Sequence, residues 1–136
     1  MNVLQPSGSP GYVLVIDDDP DLRESLGLAL SAAGHAFSMA KDGLDALAQL
    51  RDEKIPPCVV LLDLMMPNMN GFELRSVMKS DPMLSPIPVV VMTGAGSLAT
   101  RRAAELDAEI LMKPVDLRDL LTVVERHCRR GPVQVS

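Results

Sequence analysis

The sequence predicts a doubly wound α/β fold, in which helices cover both faces of a parallel β-sheet. Two observations favour this class. First, short apolar segments recur along the chain, and stretches with helical periodicity fill the intervals between them. Second, most of these segments are continuously apolar and do not alternate in polarity. Continuous runs are typical of strands buried on both faces, and such strands belong to parallel sheets with helices on each side.

Five strands are predicted along the chain. In order they are YVLVI (12–16), HAFSMA (35–40), CVVLL (58–62), PVVVM (88–92) and EILM (109–112). The second strand alternates in polarity, as an edge strand does. Because crossovers between parallel strands are right-handed, five strand–helix units favour the flavodoxin-like order 2-1-3-4-5. This (βα)5 arrangement places the second strand at an edge.

Apolar residues at three- and four-residue intervals predict five helices. Their expected core positions run from Leu22 to Ala33, from Leu44 to Ala48, from Leu74 to Met78, from Leu98 to Leu106 and from Leu117 to Cys128. The fourth pattern is the thinnest. Asp19 followed by Pro20 predicts the start of the first helix, and Asp116 predicts the start of the last one.

The length of 136 residues argues for one domain. Residues 1–11 are rich in Gly, Pro and Ser and predict a flexible lead-in, and a Gly-Pro break predicts a tail over 130–136. The folded domain is therefore expected over 12–129. Since no output domain fits beside it, we expect either a free-standing protein or a part cut from a longer one.

Composition argues against nucleic-acid binding and membrane insertion. A net charge of −5 offers little to neutralise phosphates, and the pairs Arg101-Arg102 and Arg129-Arg130 are more typical of helix surfaces. No apolar run approaches the length of a membrane span, and nothing resembles a signal peptide.

The two cysteines, Cys58 and Cys128, lie far apart in the sequence and have no metal or redox spacing. Each stands where a buried apolar residue would serve, so we expect both to be structural. A reducing cytoplasm is the simplest expected location.

Polar side chains stand at the carboxyl ends of four predicted strands, the edge at which such sheets bind ligands. They are Asp17, Asp18 and Asp19 after the first strand, Asp63 after the third, Thr93 after the fourth and Lys113 after the fifth. Asp19 is accounted for as a helix cap. Asp17 and Asp18 then lie beside Asp63, because the first and third strands are neighbours in the predicted order.

Three clustered carboxylates predict a bound cation. Charges about 4 Å apart repel by about 1 to 4 kcal/mol per pair near a protein surface, and Lys113 supplies only one positive charge. Because the available donors are oxygens, Mg²⁺ or Mn²⁺ is favoured over zinc. A solvated acidic loop is the alternative. The Thr93 hydroxyl and the Lys113 ammonium are suited to receive phosphoryl oxygens, although each, taken singly, has an ordinary structural explanation.

Four segments carry a resemblance to a known family. VLVIDDDPDLRESL, VVLLDLMMPNMNGFEL, VVVMTGAG and ILMKPVDLRDLL resemble the receiver domains of response regulators in two-component signalling, including chemotaxis regulators. The resemblance extends over about residues 12–129. It implies the same fold, a signalling protein and not an enzyme, and a phosphoryl group transferred to Asp63 from a sensor histidine kinase or a phosphotransfer protein.

The resemblance also implies a role for each site residue. Mg²⁺ would be bound by Asp18, by Asp63, by the backbone carbonyl of Met65, and by Asp17 directly or through water. Thr93 would hydrogen-bond the phosphoryl group, Lys113 would pair with Asp63 or its phosphate, and the Lys113–Pro114 peptide would be cis.

An output surface is implied by the resemblance as well. It comprises the fourth helix, the fifth strand and the fifth helix, around Arg101, Arg102, Ile110 and Leu117, and would bind a downstream protein. Family members often carry Tyr or Phe where this chain has Ile110. We therefore expect the coupling from Thr93 to this surface to be weak or differently routed.

The side chains of Met65 and Ala95 cannot orient a water molecule on the phosphoryl group, so self-dephosphorylation is expected to be slow. Two other functions stay open. A hydrolase of the haloacid-dehalogenase type would want a second acid where Met65 stands. A degenerate receiver acting only as a binding module is disfavoured by the complete site but not by Ile110.

Overall fold

The computed structural model describes residues 11–52, 55–94, 101–102, 105 and 108–128. Its strands are β1 (Val13–Ile16), β2 (Phe37–Ala40), β3 (Val59–Asp63), β4 (Val89–Gly94) and β5 (Glu109–Lys113). Its bounded helices are α1 (Pro20–Ala32), α2 (Gly43–Asp52), α3 (Gly71–Ser80) and α4 (Leu117–His127). The fourth predicted helix, over 98–106, lies outside the described residues, apart from Arg101, Arg102 and Glu105. The helix named α4 here therefore corresponds to the fifth predicted helix.

The five strands form one parallel sheet in the order β2-β1-β3-β4-β5. This confirms the flavodoxin-like order predicted from the sequence, with β2 at an edge. The register aligns the strand ends: Ile16 pairs with Leu62, Asp63 with Met92, and Thr93 with Met112. The carboxyl ends of β1, β3, β4 and β5 consequently meet at one edge of the sheet.

Two apolar layers cover the sheet, one on each face. Along β1, Leu14 and Ile16 contact the layer built by α2 and α3, whereas Val13 and Val15 contact the layer built by α1 and α4. All four side chains are fully buried. Each contributes about 1.5–3 kcal/mol of transfer free energy, which explains why β1 is continuously apolar.

The buried face of α2 differs in part from the predicted one. Of the three positions expected in the core, Leu47 is buried as predicted, but Leu44 and Ala48 are exposed, and Ala46 and Leu50 complete the buried face. The helix contains small and polar residues on several sides, so its apolar periodicity fits more than one face. At α1 and α4 the predicted starts are confirmed, since the Asp19 and Asp116 carboxylates accept hydrogen bonds from backbone N–H groups of the first turn.

Cys58 and Cys128 are buried, as expected, but they are not independent apolar residues. They form a disulfide with a Cα–Cα distance of 5.3 Å across a sequence separation of 70. Cys58 precedes β3 and Cys128 follows α4, so the bond joins the sheet to the end of the last helix, at the edge opposite the aspartates. The sequence spacing gave no indication of this contact because it depends on the packing of α4.

The predicted lead-in over 1–11 and the tail over 130–136 lie outside the described residues, except for Gly11. Among the residues that the structure describes, no helix combines the length and apolar character needed to cross a membrane.

Candidate metal centre

Three aspartates converge at the carboxyl ends of β1 and β3, as predicted. One carboxylate oxygen from each of Asp17, Asp18 and Asp63 lies within 4.8 Å of the other two. Asp17 and Asp63 are buried, whereas Asp18 is exposed. Parallel pairing of β1 with β3 causes the convergence, because Ile16 and Leu62 are partners and the next residue of each strand is an aspartate.

Three neighbouring groups hold Asp17 in place. Its Oδ1 atom accepts a hydrogen bond from the Asp19 backbone N–H at 2.9 Å, and its Oδ2 atom accepts one from Lys113 Nζ at 3.0 Å. The Arg23 guanidinium donates to the Asp17 backbone carbonyl at 2.7 Å. Asp17 is thus fixed by its own loop, by α1 and by β5.

The negative charge of Asp63 is balanced by fewer and longer polar contacts than that of Asp17. Lys113 Nζ lies 3.4 Å from its Oδ1 atom, and the Met65 backbone N–H donates to the same oxygen at 3.3 Å. Burial disfavours the charged carboxylate and the Asp17 charge lies close by, so the pKa of Asp63 rises from 3.8 to about 6. Lys113 offsets only part of this effect.

Lys113 stays protonated beside the two acids. Burial by itself would lower the pKa of Lys113, but the hydrogen bond to Asp17 and the charge of Asp63 outweigh burial and raise it. The ammonium therefore contributes one full positive charge. Against three carboxylates, it leaves an excess of two negative charges in this group of four side chains, and the Arg23 guanidinium at the Asp17 carbonyl adds a further positive charge beside them.

The residues present fit a small divalent cation. Every side-chain donor of the cluster is a carboxylate oxygen, which Mg²⁺ prefers, and the cluster holds too few positive charges for its acids. Mg²⁺ typically uses one or two carboxylates and completes its coordination with water and phosphate oxygens. Because Asp18 is exposed, water and phosphate oxygens would reach the cation from the side of the cluster on which Asp18 lies.

The remaining predicted site residues lie at the places expected from the strand order. Thr93 is buried on β4, one residue beyond the level of Asp63, and Lys113 ends β5. The Lys113–Pro114 peptide is cis, as the resemblance implied. The Met65 side chain points to solvent and is 64% exposed. Ala95 lies outside the described residues.

The three predicted output positions Arg101, Arg102 and Ile110 differ in character. Ile110, on β5, is partly buried against the layer that α2 and α3 build. Arg101 and Arg102 are exposed, and the Arg102 guanidinium lies 4.1 Å from the centroid of the Phe72 ring on α3. That contact is a cation–π interaction, worth about 0.5–1 kcal/mol at an exposed position. Arg102 thus has a structural partner.

Sequence reasoning missed three polar residues, one that contacts Asp17 and two that join the loop after β3 to the start of α2. Arg23 bonds the Asp17 carbonyl from α1, and Asp42 bonds the side chain of Asn68 in the loop after β3. The Asp45 backbone N–H and the Asn68 amide lower the pKa of Asp42, although burial opposes them. One available signal was the Pro-Asn-Met-Asn-Gly run, whose residues are typical of a turn.

Comparison with known proteins identifies a family. The response regulator receiver domain family matches residues 13–125. Response regulator MprA of Mycobacterium sp. (strain KMS) is 36% identical over 124 residues, which are 89% of this chain and 52% of the relative. The chain spans about half the length of the curated relatives that it matches.

Solved structures agree with the fold. Chemotaxis protein CheY4 of Vibrio cholerae superposes with a TM-score of 0.75 at 27% identity, covering 87% of this chain and 98% of that one. The signal receiver domain of a signal transduction histidine kinase from Syntrophus aciditrophicus gives a TM-score of 0.78 at 28% identity, covering 85% and 88%. With the match extending over most of its length, this chain belongs to the response regulator receiver domain family.

Proposed function

We propose that this receiver domain is a phosphorylation switch in which Asp63 accepts a phosphoryl group from a phosphohistidine, in a Mg²⁺-dependent reaction. The observation that carries the proposal is the convergence of three carboxylates and one ammonium at a single edge of the sheet. Receiver domains generally bind Mg²⁺ at such an acidic pocket, and the family functions in two-component signalling.

Asp63 is suited to the role of nucleophile. Its pKa of about 6 in the metal-free protein leaves it ionised at neutral pH, and a bound cation would favour the ionised, nucleophilic form further. One Asp63 oxygen attacks phosphorus in line, the O–P bond forms, and the bond from phosphorus to the donor imidazole nitrogen breaks. The leaving imidazole takes up a proton from the surrounding water.

The other polar residues receive the charge that arrives. Bound Mg²⁺, held by Asp17, Asp18, Asp63 and the Met65 carbonyl, would neutralise part of the phosphoryl charge. The Lys113 ammonium, already 3.4 Å from Asp63, is placed to pair with a phosphoryl oxygen. The Thr93 hydroxyl is proposed to donate to another. Thr93 is on β4, which lies beside β3, and Lys113 is on β5, one strand further on.

Phosphorylation would then change partner binding. A phosphoryl group on Asp63 competes with Asp17 for the Lys113 ammonium, and Lys113 ends the strand that also carries Ile110. We propose that this change is transmitted to the surface formed by β5, α4 and the segment around Arg101 and Arg102. A downstream protein would bind there, and no direct contact with nucleic acid is proposed.

The proposed donor is a sensor histidine kinase or a phosphotransfer protein, and the domain would catalyse only its own phosphorylation and slow dephosphorylation. The proposed location is the cytoplasm. Disulfides are rare in that reducing compartment, so the Cys58–Cys128 bond of the structure is an observation that argues against this location.

One experiment tests the switch. The protein is incubated with acetyl phosphate, with and without Mg²⁺, and wild type is compared with Asp63→Asn by intact mass. Addition of one phosphoryl group to the wild type alone, and only with Mg²⁺, supports the proposal. Repeated turnover of phosphate esters would favour a hydrolase. If even a histidine kinase leaves the wild type unmodified, the domain is a binding module.

A further inference from the structure

A second pair of polar side chains lies where the loop after β3, which also carries Met65, meets the start of α2. Asp42 directly precedes α2 and is 5% exposed. Its Oδ1 atom accepts a hydrogen bond from the Asp45 backbone N–H at 2.8 Å, and its Oδ2 atom accepts one from the Asn68 side-chain amide at 2.8 Å. Asn68 belongs to the loop 64–70, which also carries Met65.

We propose that Asp42 and Asn68 are positioning residues that hold the loop 64–70 in the shape in which the Met65 carbonyl can bind the metal. The inference rests on the proposed function, which makes that carbonyl a ligand. Carbonyls that ligate a metal from an irregular loop need the loop to be fixed, since a displacement of a few tenths of an ångström breaks the short, near-octahedral contacts that Mg²⁺ demands.

The base of the loop is closed by its own backbone, whereas its tip depends on α2. At the base, the Gly71 N–H donates to the Leu64 carbonyl at 3.0 Å. At the tip, the Gly43 N–H donates to the Met69 carbonyl at 3.0 Å, next to the Asp42–Asn68 contact. Met65 lies between these two attachments, so the tip contacts limit how far its peptide group can move.

The residue types suit this role. Asn68 has a φ of +66°, in the left-handed region that asparagine tolerates better than most residues. An ionised Asp42 makes its hydrogen bonds charge-assisted, and such bonds are about twice as strong as neutral ones. A Cβ on Gly43 would lie 2.5 Å from the Met69 carbonyl oxygen, so α2 and the loop are in direct contact.

Removing the tip contact should weaken metal binding. Partners that hold metal ligands from outside the coordination sphere typically change metal affinity by about 10–100-fold when mutated. Asn68→Gly keeps the left-handed backbone, because glycine adopts it freely, and deletes only the amide. We expect its Mg²⁺ dissociation constant, measured from backbone amide NMR shifts during titration with magnesium chloride, to be about tenfold or more above that of the wild type.

A variant in which the two side chains are exchanged distinguishes an effect on the position of the loop from a general loss of folding. Asn68→Asp alone sets two carboxylates against each other, and it should weaken Mg²⁺ binding although it adds a negative charge to the loop that carries Met65. The double variant Asp42→Asn/Asn68→Asp reverses donor and acceptor and keeps the net charge, and asparagine caps helices as well as aspartate does. It should restore the wild-type affinity.

Gln49→Ala is the matched control. It deletes an amide of the same helix that bonds the Met39 carbonyl at 2.7 Å, away from the loop, and it should leave Mg²⁺ affinity unchanged. If Asn68→Gly and Asn68→Asp bind Mg²⁺ as tightly as the wild type does, the inference is overturned and the proposed function stands. If the wild type binds no Mg²⁺, the proposed function fails and the inference with it. Should either single variant not fold, failure of the double variant to regain affinity also overturns the inference.

Discussion

Replacing Asp63 by Asn should stabilise the metal-free protein at neutral and alkaline pH. The Asp63 carboxylate is buried beside Asp17, and its pKa in the folded state is about 6 compared with 3.8 when unperturbed. A raised folded-state pKa means that the native state holds a proton more tightly than the unfolded state. Stability from this group is therefore fully present below about pH 4 and is lost as pH rises through about 6. Between those limits the loss amounts to about 3 kcal/mol, at 1.36 kcal/mol per pKa unit.

An asparagine carries no charge to lose, so Asp63→Asn should escape this penalty. In urea unfolding followed by circular dichroism with EDTA present, the variant should exceed the wild type by about 2–3 kcal/mol at about pH 8. That difference corresponds to a midpoint shift of about 1–2 M urea. At about pH 4 the two proteins should be nearly equal, because protonated Asp63 resembles Asn.

Two comparisons sharpen this measurement. Asp18→Asn removes a carboxylate of the same cluster that is exposed, so solvent screening should make its gain much smaller. Saturating Mg²⁺ should stabilise the wild type by binding its native state and should narrow its difference from Asp63→Asn. A variant no more stable than the wild type at about pH 8, or a gain independent of pH, would show that burial and the Asp17 charge do not destabilise the Asp63 carboxylate.

Three further predictions concern other parts of the domain. Reduction with dithiothreitol should destabilise the wild type in urea unfolding by up to about 4 kcal/mol, which is the loop-closure estimate for a sequence separation of 70. A Cys58→Ala/Cys128→Ala variant should not respond to the reductant in the same urea titration. Gly71→Ala should lower the free energy of unfolding in urea by about 1–3 kcal/mol despite the better helix propensity of alanine, because the alanine Cβ would lie 2.6 Å from the Asp63 carbonyl oxygen. A neutral or stabilising result would contradict the close contact. Phosphorylated wild type should lose its phosphate slowly, and Met65→Asn should speed the loss by roughly tenfold or more because an amide can orient water. Phosphate release in the presence of Mg²⁺ measures both rates, and a wild-type half-life of seconds would refute this prediction.

Strand order and the acidic edge were predictable from the sequence because both follow from local patterns. Continuous apolar runs such as the one ending at Ile16 identify buried parallel strands, and the topology then decides which polar residues meet. The buried face of α2 was predicted only in part: Leu47 is buried as expected, but Ala46 and Leu50 take the places expected for Leu44 and Ala48, since the apolar residues of this helix fit more than one face. The Asp42–Asn68 contact was missed because loop side chains pair according to backbone positions that no periodicity encodes.

The disulfide has a consequence for whatever chain extends past residue 128. A terminal helix ordinarily frays from its last turn, which leaves the direction of the following residues loosely defined. Here the residue that follows α4 is bonded covalently to the residue before β3, the central strand of the sheet. Under oxidising conditions the polypeptide therefore leaves the domain from a point that is covalently attached beside the central strand, which defines where the following residues begin.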